Sequence, residues 1–410
     1  ILPYKKFENI FSNQKINHEK LEVFADSLFR EAIYLASLSL FNDAKTKINQ
    51  KLKVSLLKYY NRASTRYTPF GLFAGVSLGN FDKENHFPKL FSENERLRDT
   101  KLDMHFLVEL SKHLNSIPHI KNNILYFPNN SIYKIGNKIR FIEYESKEGK
   151  RDYIISSAPL SEELEQILLA SKEGITIDEL SSVLTNEEIS LEEAREFIDE
   201  LIENQVLVSE LEPNVAGNDF LDSIILILER IVANKERDLL VAIKNKIQQL
   251  DLNFGNPENM YAEIEELINN LNLEYDKKYL FQTDLYYDSK IKLSYEWKRQ
   301  LKKGISFLNK ITILNRETVL EKFKEAFYER FENEEVSLSY ALDSEIGIGY
   351  LQNIPTKGVH PYLEDIVLPS SKQKRELQFK LNPIHIILNQ KFQNAYWNKD
   401  YIIKLSDDDF

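Results

Sequence analysis

The sequence predicts a mixed α+β fold in several subdomains, with a winged helix-turn-helix module inserted at residues 131–212. Three observations carry this expectation. Apolar residues recur at helical spacing over several long segments, while shorter stretches alternate as strands do. A helical pattern that reaches Arg66 runs straight into Pro69 and into glycines at 71, 75 and 79, which read as a close-packed turn and strand. Between 131 and 212 the order is hairpin, third strand, three helical patterns and a closing strand. With 42% apolar residues, 24 Phe and 21 Tyr, the 410-residue chain has material for about two to three domains with ample core.

The chain opens as ILPY and then shows an amphipathic helical pattern from His18 to Phe41. From Lys47 to Tyr60, Leu52, Leu56, Leu57 and Tyr60 fall on one helical face, with Lys on the other. Arg62 and Arg66 stand four apart and project from one face, with Lys58 a turn earlier. Pro69 stops the helix, because the residue before a proline is pushed out of the α region. Two readings of the arginines stand side by side. Paired guanidinium forks suit phosphate or carboxylate recognition; arginines near a helix C-terminus also simply complement its dipole.

Asp103 stands just before a helical pattern from Phe106 to Leu114, where it serves either as an N-cap or as a site residue. Ser131 to Ile142 then alternates around Gly136-Asn137 as a hairpin, and Asp152 to Ser156 supplies a third strand. Helical patterns follow from Ser161 to Ala170, from Thr176 with Glu179 placed for a capping box, and from Ser190. The last carries Phe197, Ile198, Leu201 and Ile202 on its apolar face, and Val206 to Val208 closes a short strand. A winged helix usually suggests DNA binding. Here the third helix holds six acidic residues and one Arg, which would face phosphates unfavourably, so DNA is rejected.

Beyond a linker at Pro213 to Asn218, helical patterns run over Phe220–Ile247, Met260–Leu271, Trp297–Ile311 and Arg316–Phe331. Lys278 to Tyr287 reads as a buried strand with Asp284 in its middle. A carboxylate there is either salt-bridged or a site residue with a shifted pKa.

Charge and missing motifs exclude other chemistries. Residues 1–130 carry 19 Lys and Arg against 13 Asp and Glu, whereas residues 131–212 carry 8 against 20, within a chain of net charge −11. The first segment can meet phosphates; the second repels them. No Cys is present, which removes disulfides and thiolate metal sites and fits a cytoplasmic setting. No apolar run has the length of a membrane span. HExxH, GxGxxG, GKS/T and GxSxG patterns are absent, and His105 and His113 share only loose helical phase, so no metal or bound cofactor is expected.

The run Arg62-x-x-x-Arg66-x-Thr68-Pro69-Phe70-Gly71-Leu72-Phe73-Ala74-Gly75-Val76 closely resembles the N-terminal motif of lantibiotic dehydratases. That resemblance implies tRNA-dependent glutamylation of Ser and Thr in a ribosomally made precursor peptide, with glutamyl-tRNA as co-substrate. It implies catalytic roles for Arg62, Arg66, Thr68, Asp103 and Asp284. The segment Asp343 to Tyr350 also matches the family, without an assigned role. The 131–212 module resembles the precursor-recognition element of peptide-modifying enzymes, where a leader peptide adds as a strand and packs on the third helix; Tyr153, Ile155, Phe197 and Leu201 are its expected groove residues. The resemblance divides the chain into 1–130 and 213–410, two parts of a glutamylation domain, around 131–212.

Family chains are longer and carry an elimination domain, fused or separate, and an Arg before the Pro-containing start that this chain does not show. A homodimer stays open, and stable membrane insertion is not expected. Two rivals remain: a peptide ligase of the same family that uses aminoacyl-tRNA, and a non-catalytic leader-binding scaffold.

Overall fold

Among the described residues, side-chain oxygens cap most helix starts. The computed structural model describes residues 26–46, 49–83, 95–147, 150–214, 216–288, 291–312, 318–344, 346–350 and 382–409. The ILPY start, the first part of the His18–Phe41 pattern, Arg316 and Glu345 lie outside these. The chain divides into two units, residues 1–80 with 87–292 and residues 81–86 with 293–410. Among the described residues no helix is long and apolar enough to cross a membrane.

In the first unit, Asp26 accepts the Phe29 N–H at the start of α1 (Ser27–Ala36), and α2 (Leu38–Thr46) follows. Asn49 accepts the Leu52 N–H at 2.8 Å to open α3 (Gln50–Thr65). Leu52, Leu56, Tyr60 and Ala63 form the buried stripe of α3 and pack with Phe29, Ile33, Phe41, Leu72 and Phe73 into one core cluster.

Strand β1 (Gly79–Asp82) precedes β2 (Arg96–Leu102), which is followed by α4 (Met104–Ser116) and α5 (Pro118–Asn123). A short strand missed in the sequence, β3 (Tyr126–Pro128), comes next. It leads into β4 (Tyr133–Ile135), β5 (Lys138–Lys147) and β6 (Lys150–Pro159), an antiparallel sheet in that order with the β4–β5 turn at Gly136-Asn137. Helices α6 (Glu162–Ala170), α7 (Ile177–Leu184) and α8 (Leu191–Glu203) follow, and β7 (Leu207–Ser209) pairs with β3. Thr176 and Glu179 form the expected capping box, and Ser190 forms a second with Glu193. This is the element order on which the winged-helix expectation rests. The apolar core of the segment is continuous with that of its neighbours. Leu164, Ile177 and Ile198 share a single cluster with Leu102, Leu240 and Ile264.

The long helix expected over Phe220–Ile247 is two helices, α9 (Phe220–Arg230) and α10 (Asn234–Asp251). Val232 between them has φ +60°, a strained conformation for a β-branched residue that no local composition signals. α11 (Glu258–Asn269) leads to β8 (Phe281–Tyr287), antiparallel to β2 with Leu102 opposite Phe281 and Asp99 opposite Asp284. β8 is not buried throughout: Thr283 and Leu285 point inward, whereas Asp284 is half-buried on the other face. β9 (Ile291–Ser294) pairs with β1.

The second unit contains α12 (Tyr295–Ile311), α13 (Val319–Phe331), α14 (Leu338–Leu342) and α15 (Pro383–Asn398). Phe323, Phe327, Phe331, Tyr340 and Tyr350 form a run of ring contacts. The family-like segment after α14 is a tight turn. Buried Asp343 accepts the Ile346 N–H at 3.1 Å, and a Cβ on Gly347 would collide with the carbonyls of Tyr340, Ala341 and Asp343.

Candidate functional site

The last turn of α3 holds Arg62. The helix ends at Thr65, one residue earlier than the spacing implied: Arg66 is the C-cap, extended at φ −102° and ψ 129°, with its N–H on the Arg62 carbonyl. The two side chains therefore leave the helix end from different backbone conformations. The Arg62 guanidinium lies 4.1 Å from the centroid of the Phe70 ring, and its Nε is enclosed without a hydrogen-bond partner among the described residues. Phe70 stacks on Phe73, which stacks on Tyr59, so an aromatic ladder fixes the plane on which Arg62 rests. Arg66 and Thr68 are exposed beside it.

The turn closes on itself through Phe70 N–H to the Ala74 carbonyl, with Gly71 at φ +47°. It then docks along β8. Val76 donates to the Leu285 carbonyl and accepts from the Tyr287 N–H, both at 2.9 Å. Gly75 is required there, because a Cβ would sit 2.6 Å from the Leu285 carbonyl oxygen. The motif thus becomes a third edge beside β2 and β8.

Asp284 lies on β8 directly before Leu285, whose carbonyl the turn bonds. It accepts from Gln282 Nε2 at 3.2 Å and faces Asp99 across the ladder. Asp103 caps α4, accepting the His105 N–H at 2.8 Å, and gives its own N–H to the Leu280 carbonyl. It lies four residues past Asp99, about 13 Å along the strand. The β2/β8 pair carries Asp284 and leads into Asp103, and the motif of Arg62, Arg66 and Thr68 reaches it through Val76, but among the described residues no ion pair joins Arg62 or Arg66 to Asp103 or Asp284.

Beneath the sheet lies a network that the sequence did not reveal. Arg98 on β2 pairs with Glu31 of α1 at 2.6 Å, both side chains fully buried, and with Asp251 at 3.1 Å. Tyr261 donates to Glu31 at 2.6 Å, and Asn256 and the Gly255 N–H also donate to it. Burial alone drives the Arg98 pKa down, but Tyr261 and Glu31 outweigh it, so its charge is held more firmly than usual. Burial raises the Asp251 carboxyl against the hydrogen bonds from Thr100 and the charge of Arg98. Thr283 donates to Thr100 at 3.3 Å, carrying the network to β8 under Asp284. Alternation in β2 places Arg98 inward and Asp99 outward, the one sequence signal available for it.

Of the expected groove residues, Tyr153 and Ile155 are 65% and 48% exposed on β6, whose outer edge is unpaired among the described residues. Phe197 is half-buried against the core, and Leu201 is buried within it.

Residues 25–410 match the family model described as the N terminus of lantibiotic dehydratase. The nisin biosynthesis protein NisB of Lactococcus lactis subsp. lactis is 26% identical over 386 residues, covering 86% of this chain and 36% of its own. The epidermin biosynthesis protein EpiB of Staphylococcus epidermidis is 27% identical over 290 residues, covering 67% and 29%. The chain thus spans about a third of the curated relatives it matches. The tRNA-dependent lantibiotic dehydratase MibB from Microbispora sp. 107891 has the same fold, with a TM-score of 0.70 over 95% of this chain and 38% of its own at 20% identity. The glutamylation domain TbtB from thiomuracin biosynthesis, bound to 5'-phosphodesmethylglutamycin, gives a TM-score of 0.53 over 77% and 39% at 15% identity. The chain therefore belongs to the lantibiotic dehydratase family, within its N-terminal region.

Proposed function

We propose that this region transfers glutamate from glutamyl-tRNA to Ser and Thr side chains of a ribosomally made precursor peptide, the first step of their dehydration. The observation that carries the reading is the Arg62 guanidinium, held 4.1 Å over the Phe70 ring next to the exposed Arg66 and Thr68, in a turn whose Val76 bonds to the strand of Asp284. Arg62 and Arg66 bind an anionic group of the co-substrate, a terminal phosphate or the glutamyl carboxylate. Thr68 hydrogen-bonds the acceptor or the adenosine. Asp284 positions the attacking hydroxyl, whereas Asp103, about 13 Å further along the ladder and engaged in capping α4, acts on the site through that helix start.

The step is acyl transfer. The peptide hydroxyl oxygen bonds to the ester carbonyl carbon, the ester bond to the tRNA ribose breaks, and the proton passes to the leaving ribose oxygen. The ester is already activated, so positioning and electrostatic stabilisation supply the rate.

The leader peptide adds as a strand to the free edge of β6 beside Tyr153 and Ile155. Acidic α8 calls for a leader with Lys or Arg. Leu201 supports this groove from the core rather than lining it.

The test uses the full-length protein with its precursor peptide and glutamyl-tRNA, without an elimination partner, followed by peptide mass measurement. Gain of glutamyl units on Ser or Thr, or dehydration if an elimination domain is fused, is expected. A single residue added at the peptide C-terminus would establish the ligase instead, and tight leader binding with no mass change would leave a scaffold.

A further inference from the structure

From Ala44 to Phe81 the chain carries seven Lys and Arg and no Asp or Glu, although acidic residues outnumber basic ones by 64 to 53 overall. Lys45 is used in a pair with Glu258, and Lys47 lies outside the described residues. The remaining five are Lys51, Lys53, Lys58, Arg62 and Arg66. Among the described residues none of them forms an ion pair.

Their arrangement on α3 is specific. At about 100° per residue, Lys51, Lys58 and Arg62 fall within about 40° of one another, with Ser55 beside them. The buried stripe of Leu52, Leu56, Tyr60 and Ala63 faces well away from this row. The row is about 16 Å long from Lys51 to Arg62 and ends at the candidate site. Lys51 and Lys58 are exposed, and Val54 is the one exposed large apolar side chain of α3. A helix that lies on a membrane needs an apolar row to insert, and this face has none. A narrow, linear, polar row of uncompensated positive charge fits a chain of phosphates.

We propose that Lys51, Ser55 and Lys58 form a track for the phosphate backbone of the tRNA acceptor strand, leading its aminoacylated end along α3 to Arg62 and Arg66. The proposal rests on the tRNA-dependent reading above and adds to it the surface that holds the nucleic acid. Lysines bind phosphates as point charges without reading sequence, so the track grips any tRNA body and leaves discrimination to the site at its end.

The experiment measures binding of labelled deacylated tRNA and of glutamyl-tRNA to the full-length protein between 50 and 200 mM salt, for wild type and for the double variant Lys51→Gln/Lys58→Gln. Both side chains are exposed and outside the core, so the fold is retained. Lys53→Gln, about 200° round the helix from Lys51, is the control for loss of an α3 charge off the row, compared with each single variant Lys51→Gln and Lys58→Gln. The expected result is weaker binding of both tRNAs by the double variant at low salt, by about tenfold, and a log–log salt slope reduced by about 1.4. Its affinity for the precursor peptide and its melting temperature stay as in wild type, and the control keeps the wild-type slope.

Equal tRNA affinity and slope in wild type and double variant, with glutamyl transfer intact, would overturn the track and leave the proposed function standing. Loss of peptide binding instead of tRNA binding, or loss of binding to phosphatidylglycerol vesicles with tRNA binding kept, would overturn it in favour of those partners. A wild-type protein that binds no tRNA and transfers no glutamate would remove both readings.

Discussion

Arg98 and Glu31 meet at 2.6 Å with no exposure of either side chain, and they tie β2 to α1 beneath the sheet that carries Asp284. Such a pair repays its desolvation only while it is complete. Arg98→Met leaves the Glu31 carboxylate buried without its cation, and we expect it to cost about 3–5 kcal/mol. The double change Glu31→Leu/Arg98→Met should cost less than Arg98→Met alone, because it leaves no unpaired charge. Urea midpoints of the three proteins check this, and a single variant within about 0.5 kcal/mol of wild type, the usual surface-substitution range, would contradict it.

Arg62 makes a ring contact as well as carrying a charge, its guanidinium 4.1 Å from the Phe70 centroid. Arg62→Lys keeps the charge but presents neither a guanidinium to Phe70 nor a fork, so it should lose nearly as much glutamyl transfer as Arg62→Ala, on the order of 10²–10³-fold. Phe70→Leu removes only the ring and should raise KM for glutamyl-tRNA about two- to fivefold. Leader-peptide affinity should not change in any of the three. An active Arg62→Lys would mean that charge alone suffices.

Much of this was legible because it is local. The capping box of Thr176 and Glu179, the Gly136-Asn137 hairpin and the Arg62–Gly75 motif are each written within a few residues. What the sequence hid is non-local. Glu31, Arg98 and Tyr261 lie up to 230 positions apart, and only their packing reveals one network. Asp284 looked buried because apolar residues surround it in sequence. In the strand its neighbours point the other way, and its real peculiarity, Asp99 opposite, depends on a register that no single strand contains. Leu201 shows the same limit: an apolar helical position suits groove and core alike in the sequence, and only the structure shows that it is buried in the core cluster. The break at Val232 occurs at a positive φ with no glycine or proline beside it to signal it.

Two glycines of the motif should respond differently to alanine. At Gly75 a Cβ meets the Leu285 carbonyl at 2.6 Å and the Leu285 Cγ at 2.7 Å, so the backbone hydrogen bonds of Val76 must stretch or break. At Gly71 the nearest atom is 3.8 Å away, and only the φ of +47° resists. Gly75→Ala should therefore cost about 2–3 kcal/mol and detach the turn from β8, with loss of glutamyl transfer. Gly71→Ala should cost about 1 kcal/mol and retain activity in proportion to folded protein. Thermal melts paired with transfer rates separate the two; a harmless Gly75→Ala would show that the turn does not need its contact with β8.

Asp284 and Asp99 place like charges directly opposite on one ladder, an arrangement that destabilises a sheet by about 0.2–1 kcal/mol. Asp99 is partly compensated by Lys101 at 3.4 Å, whereas among the described residues Asp284 has only the amide of Gln282. If Asp284 serves the reaction, its removal should improve the fold and harm the chemistry. Asp284→Asn keeps the shape and removes the repulsion, so it should raise the melting temperature slightly while glutamyl transfer falls at least about 100-fold and leader binding holds. Asp99→Asn relieves the same repulsion but gives up the exposed pair with Lys101, which is worth little. It should leave stability equal or slightly higher and keep most of the transfer rate. Equal activity in both variants would mean that Asp284 is a surface carboxylate with no part in the reaction; equal loss in both would mean that the two carboxylates act together.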